Sequence, residues 1–206
     1  MDEARSVRDF WFGQLPMSAE RLKRRIRFWF GDESSEWHQR RDAEIFRRFG
    51  RLLERAACGE LDAWADGPRR RLSLIILLDQ FPRHMYRGTA RAFAYDERAL
   101  ALTLSGMQSA ADAALDVVER LFFYMPLQHS ERYEVQEESV AAYRRLLGES
   151  PEELHEAFAG ALRSADNHRA IIAQFGRFPH RNRALGRISS PLERDWLRVG
   201  GGTFGQ

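Results

Sequence analysis

Apolar residues in this chain recur at intervals of three and four rather than alternating. Between Trp37 and Cys58 they fall at Ile45, Phe46, Phe49, Leu52, Leu53 and Ala56, which lays a single apolar stripe along a helix. Arg47, Arg48, Arg51 and Arg55 occupy its other faces. The same period in almost every segment predicts helices near 3–12, 18–30, 36–57, 59–65, 68–80, 90–105, 116–128, 131–147, 151–175 and 191–199, with no convincing strand. The expected fold is therefore all-α, with 1–206 forming one domain built of antiparallel helical hairpins. Residues 199–206, around Gly200-Gly201-Gly202, read as a loose tail.

Local signals mark several helix ends. Ser150-Pro151-Glu152-Glu153 and Ser190-Pro191-Leu192-Glu193 each place Ser at an N-cap, Pro at the first helical position and Glu at the third. Gly67-Pro68 opens a helix through Leu72, Ile75, Ile76 and Leu78, which Pro82 is expected to end by disfavouring helical geometry at Phe81. The tetrapeptide FWFG at 10–13 and again at 28–31 reads as a core anchor closed by a glycine stop.

A length of 206 residues permits a substantial core, and 44% hydrophobic residues with five tryptophans spread end to end fit a globular chain. Formal net charge is only +2, from 32 basic and 30 acidic residues, so no global basic field exists to drive non-specific nucleic-acid binding. Lys23 is the only lysine. Cys58, the only cysteine, excludes an internal disulfide and a cysteine-cluster metal site, and reads as a small core residue. The start, MDEARSVRDFWFG, lacks the apolar core of a signal peptide, and LSLIILL is too short to span a bilayer, so the expectation is a cytoplasmic protein without a membrane partner.

The most informative stretch runs from Asp166 to Arg187, where His168, Arg177, His180, Arg181, Asn182, Arg183 and Arg187 surround Phe175-Gly176-Arg177-Phe178-Pro179. Connecting loops are usually short and built from small polar residues, whereas this one interleaves bulky aromatics with cations. LDQFPRHMYRG at 78–88 and FYMPLQHSE at 123–131 share that character, so segments 79–88, 124–131 and 177–187 are expected to converge on one site. FPRHMYRG and FPHRNRALG echo each other and suggest two similar turns facing one another.

These segments, extended to LDQFPRHMYRGTARAFAYD, FFYMPLQHSE with Gln136 and Glu137, and the block from His168 through IIAQFGRFPHRNRALGR, closely resemble the bacterial family of domain of unknown function 924. The resemblance covers nearly the whole chain, from FWFG to the final Ser-Pro-x-Glu helix. It implies an all-α fold similar to tetratricopeptide-like helical arrays and no assigned activity. His84 stands where the family pattern has asparagine, Gln128 where it has glutamate and Ser190 where it has threonine. The first two departures speak against a scheme needing His84 as a common base or a carboxylate just before His129.

Histidine titrates nearest physiological pH. His38 and His155 sit among charged residues and read as solvated; His168 lies on the apolar side of its helix, where a buried structural role competes with a functional one. His129 and His180 lie just beyond a proline-bearing turn or helix end and are the candidate acid–base residues; His84 is placed similarly. No metal motif is present, and Ser130 lacks a nucleophile elbow and reads as an N-cap. The motif arginines offer planar forks to a carboxylate or phosphate. Alternatively they neutralise Asp79, Asp96, Glu131 and Asp166 internally.

The candidate ligand-binding set is Asp79, Gln80, Arg83, Arg87, Tyr124, Ser130, Glu131, His168, Arg177, Arg181, Asn182 and Arg187, with no metal and no cofactor motif. Three functions fit it: a pocket for a small anionic ligand, acting on it catalytically or only binding it; a groove receiving a peptide, by analogy with the fold; and RNA binding, which the near-neutral charge disfavours.

Overall fold

Two tryptophan-bearing helix ends, the FWFG pair, meet at the centre of the molecule. In the computed structural model, which describes residues 2–31 and 35–200, α1 (Glu3–Phe12) and α2 (Ala19–Phe30) both stop at a glycine, Gly13 and Gly31. Trp11 stacks on Trp29 at 6.4 Å and Phe12 meets it edge-on at 6.0 Å. Phe81 and Phe122 close on the same indole of Trp11 from two further elements. Burying such rings contributes about 2–3 kcal/mol each, so Trp11, Phe12 and Trp29 of the repeated motif are core, whereas Phe10 and Phe28 are half-buried and Phe30 is exposed.

The chain is all-α, with no strand among the described residues. After α3 (Ser35–Ala57) come α4 (Pro68–Ile75), α5 (Phe81–Met85), α6 (Asp96–Gln108), α7 (Val117–Phe123), α8 (Met125–His129), α9 (Tyr133–Glu149), α10 (His155–Phe175) and α11 (Pro191–Arg198). Short 3-10 turns lie between several of them. One core runs from α1 to α10, and α9 pairs with α10 across a short connection as a helical hairpin. Gly106 of α6 permits close approach to α7, since a Cβ there would lie 2.5 Å from the Phe123 ring. A second cluster, Ile171, Ile172 and Phe178 with Phe175 and Trp196, fastens α11 to the end of α10.

Several local expectations are corrected. Pro82 does not end the fourth helix. The segment Ile76–Gln80 widens into a π turn, the Phe81 amide bonding the Ile76 carbonyl, and Pro82 enters at the first turn of α5, where its missing N–H costs nothing. Ser150 does not cap α10: its hydroxyl donates to the Leu147 carbonyl at 2.8 Å, Pro151 is extended, and Glu152–Leu154 forms a 3-10 turn first. Ser190 does cap α11 in a reciprocal box with Glu193. Cys58 is exposed at the end of α3 rather than in the core, and His38 is half-buried against the Gly31 carbonyl at 2.8 Å rather than solvated. His155 is exposed. Of the tail expected at 199–206, residues 201–206 lie outside the described residues. No described helix is long and apolar enough to cross a membrane.

Candidate functional site

The π turn sets the site, because it turns Asp79 wholly inside and leaves Gln80 on the wall of a cleft. Asp79 Oδ1 lies 2.6 Å from His129 Nδ1, and Gln80 Nε2 donates to Oδ2 at 2.5 Å. His129 is the last residue of α8. Gln136, reaching from α9, donates its amide to the carbonyls of Gln128 at 2.8 Å and Ser130 at 2.6 Å, so the end of α8 has its orphan acceptors satisfied and the imidazole is held in place. The ring of His168 crosses that of His129 at 6.4 Å, and the Phe178 ring lies 5.5 Å beyond.

Arginines frame this pair. Arg83 forks onto Asp96, with both hydrogen bonds at 2.8 Å, and donates to the Asp79 carbonyl at 2.7 Å. Arg181 reaches the same Asp96 at 3.2 Å, with Phe93 and Phe178 packed on its guanidinium at 4.7 and 4.6 Å. The two Phe-Pro turns therefore do face each other, across one carboxylate. A second Asp–His pair sits further along the cleft: His84 Nδ1 is 2.9 Å from Asp42 Oδ1, and Arg87 chelates Asp42 Oδ2 at 3.0 and 3.1 Å.

Burial decides the protonation states. His129 is held below its ordinary value by burial and by Arg83, in spite of Asp79. Burial takes His84 to about 4 against the pull of Asp42, and His168 to about 3 against its bond to the Ser164 carbonyl. Burial and the charge of Arg181 put His180 at about 3. For Asp79 burial acts upward, but His129 and Arg83 outweigh it and hold the carboxyl at about 2. Asp79 is thus an anion beside a neutral imidazole at pH 7. In that state Nδ1–H donates to the carboxylate, and Nε2 keeps its lone pair.

The cleft has a volume of about 1580 Å³. Its apolar lining includes Leu22, Ile26, Trp29 and Phe30 of α2, the last two packed on Phe122, and Met125; its polar lining includes Gln80, Arg83, His84, Arg87, His129, His168, His180 and Arg181. Among the described residues, no group of three or more His, Cys, Asp or Glu side chains is arranged to hold a metal ion.

The three segments expected to converge do so. Besides the Asp79–His129 and Arg83–Asp96–Arg181 contacts, the Phe178 amide donates to Glu131 at 2.8 Å, and Arg187 forks onto Glu131 at 2.7 and 3.0 Å. They divide by task, however. Gln80, Arg83, Arg87, His129, His168, His180 and Arg181 line the cleft, whereas Asp79, Tyr124, Ser130, Glu131, Arg177, Asn182 and Arg187 do not. Tyr124 donates to Asp112 at 2.5 Å, Ser130 accepts from the Arg132 amide at 3.2 Å, Arg177 forks onto Glu193, and Asn182 bonds both Ser189 and Arg187. Glu131, Arg177, Asn182 and Arg187 shape the loop that presents His180 and Arg181, whereas Tyr124 and Ser130 make local contacts elsewhere. Internal neutralisation accounts for most motif arginines, through Asp42, Asp79, Asp96, Glu131 and Glu193; Asp166 pairs instead with Arg169.

Similarity to known proteins adds a family to this geometry. Over residues 7–201 the sequence matches the family described as bacterial protein of unknown function, DUF924. The chain belongs to this family. A solved structure of a protein of unknown function from Agrobacterium tumefaciens is similar to it, 33% identical over 96% of this chain and 97% of that one, with a TM-score of 0.77. No functionally curated protein matches. Family membership thus establishes the fold, and any function of this DUF924 cleft has to be argued from its side chains.

Two members of the site were not singled out from the sequence. Asp42 and Arg41 sit in a run of charges that resembles a solvated face, yet they precede Ile45 by three and four residues and so fall on the apolar stripe of α3. An acid on a buried stripe was the available signal.

The division of labour yields a stability contrast. Arg187→Ala strips Glu131 of its fork and the Phe178 carbonyl of a donor at 3.0 Å, and should cost about 3 kcal/mol. Arg181→Ala leaves Asp96 with its fork from Arg83 and should cost about 1 kcal/mol or less. Equal losses in denaturant melts would contradict the division.

Proposed function

We propose that the cleft binds a small anionic molecule and acts on it by proton transfer, with His129 as general base and Arg181 as the contact for the negative group. The observation that carries this reading is the buried Asp79–His129 pair, a 2.6 Å contact ending in a neutral imidazole on the cleft wall. A buried carboxylate that fixes the tautomer of a histidine is the arrangement by which enzymes prepare a base. Arg181 supports the anion. It is 6% exposed, its Nε has no hydrogen-bond partner, and Asp96 is already taken up by Arg83, so it has donor capacity to offer. His180, beside Phe178 at the mouth, is a second proton-transfer candidate. A peptide-receiving groove, suggested by tetratricopeptide-like arrays, would not require this polar floor.

Phosphate, sulfate, citrate, a sugar phosphate and a mononucleotide, each at matched ionic strength, test the reading by thermal shift. At least one should raise the melting midpoint in wild type and fail to do so in Arg181→Ala and His180→Ala. Binding should also tighten as pH falls from 8 to 6, because a bound anion favours the protonated form of the neighbouring His129. No shift with any anion would overturn the proposal and leave the peptide groove as the better account.

A further inference from the structure

The cleft is larger than a small anion needs; pockets for drug-sized ligands occupy about 300–1,000 Å³, against about 1580 Å³ here. Much of the remaining lining is apolar, though Lys23, Glu156 and Arg163 also border it. Along α10, Ala157, Gly160, Ala161, Ser164 and His168 line it at helical spacing, a run of small side chains ending at His168 over eleven helical steps, roughly 16 Å, with the exposed Glu156 and Arg163 beside them. The polar end of this run is His168, beside His129 and Phe178. The other end abuts α2, which packs against the Glu152–Leu154 turn.

Gly160 shows that this run of small residues is not dictated by packing of the chain on itself. A Cβ there would meet only the tip of Arg163, at 3.6 Å, although glycine inside a helix is destabilising relative to alanine. Phe30 remains 58% exposed even though it stacks on Phe122 at 6.0 Å, and Phe46 is 53% exposed; both also line the cleft. A cleft lined by a helix face of small residues and by large uncovered rings, with an under-paired guanidinium at its polar end, matches one shape of ligand.

Building on the anionic-ligand reading above, we infer that the ligand is a linear aliphatic carboxylate, its tail lying along α10 between Ala157 and Ser164 and its carboxylate at Arg181. Tail and head are recognised separately, by burial of methylenes and by a charge-assisted hydrogen bond.

Isothermal titration of the full chain with acetate, hexanoate, octanoate and dodecanoate, all below their micelle concentrations, tests this, with dodecanol as the uncharged arm. Affinity should rise by roughly two- to fourfold per methylene and saturate at one ligand per chain. Gly160→Leu, whose Cβ would meet only the tip of Arg163, should weaken dodecanoate by at least about tenfold while leaving the response to citrate or phosphate unchanged. Arg181→Gln should weaken dodecanoate and not dodecanol. If small anions bind but chain length or Gly160→Leu makes no difference, the aliphatic tail is refuted and the anion site stands. If dodecanol binds as tightly as dodecanoate, recognition of the head is refuted. If neither short anions nor any chain binds, both proposals fall.

Discussion

Arg83→Ala should destabilise the protein by about 3–5 kcal/mol, the largest effect expected of any single substitution in the cleft. Arg83 is 8% exposed and serves two carboxylates at once: it forks onto Asp96, lies 3.5 Å from Asp79 Oδ1 and donates to the Asp79 carbonyl. Removing it leaves Asp79, which is completely buried, with only the neutral donors His129 and Gln80. An uncompensated buried charge is what makes breaking such networks costly, far more than the pair itself contributes. Arg83→Lys keeps the charge and loses the fork, so it should fall between wild type and alanine. Adding Asp96→Asn to Arg83→Ala should recover little of the loss, because Asp96 keeps Arg181 at 3.2 Å and the charge left uncompensated is that of Asp79. Denaturant midpoints would measure all three; a loss below about 1 kcal/mol for Arg83→Ala would mean that the network is not holding the fold.

Acid should unfold the protein well above the pH at which its carboxylates protonate. His84 and His168 are held at about 4 and about 3, below the ordinary value of 6.5, by burial. Their folded-state values are depressed, so the unfolded chain binds more protons between the two values. Their contribution is fully present above pH 6.5 and is lost as pH falls toward their folded values. At pH 5 each has forfeited about 2 kcal/mol, about 4 kcal/mol together, a large share of the 5–15 kcal/mol typical of a domain. His129 and His180 are shifted in the same direction and add to the loss. Asp79, held at about 2, and the lowered Asp42 and Glu131 contribute the same sign further down. Stability measured from pH 8 to 5 should therefore be level above about 7 and fall steeply below 6.5, with His84→Gln and His168→Gln each making the fall shallower. A flat profile down to pH 5 would show that these imidazoles are protonated in the folded state.

The helices were legible because burial of one face is written into residue spacing. The α3 stripe, the FWFG anchors and the Ser190 cap all obey local rules that the tertiary structure respects. The π turn was not legible, since a single extra residue in a continuous apolar run, Leu74 to Leu78, leaves the three-and-four spacing almost unchanged and only rotates the residues beyond it. That rotation carries the helix through Pro82 and turns Asp79 toward His129. Ser150 failed for a similar reason: its hydroxyl had a competing acceptor behind it, at Leu147.

Convergence of the three motif segments was legible because aromatics interleaved with charge are costly to leave unpacked and costly to bury unpaired. Which arginine met which carboxylate was not. Asp96, the acid that joins Arg83 to Arg181, and Asp42, which orders His84 and Arg87, lie far from their partners in sequence. Pairing across the fold depends on packing angles that no local pattern encodes. The balance of charge that results leaves Arg181 as a cleft-lining motif arginine with an unpartnered nitrogen, while Lys23, Arg41 and Arg163 line the cleft as well.

A neutral His129, fixed by Asp79 and facing a site that accepts an anion, is the feature on which the proposed chemistry depends. Long-range proton–nitrogen spectra of the histidine side chains at pH 7, recorded before and after addition of dodecanoate or phosphate, test both halves at once. The expected result is a His129 imidazole that is neutral, protonated at Nδ1 and unprotonated at Nε2, whose Nε2 resonance moves toward the imidazolium position on adding the anion, and does not move in Arg181→Ala. A His129 already cationic in the free protein, or protonated at Nε2, or indifferent to every anion added, would contradict it.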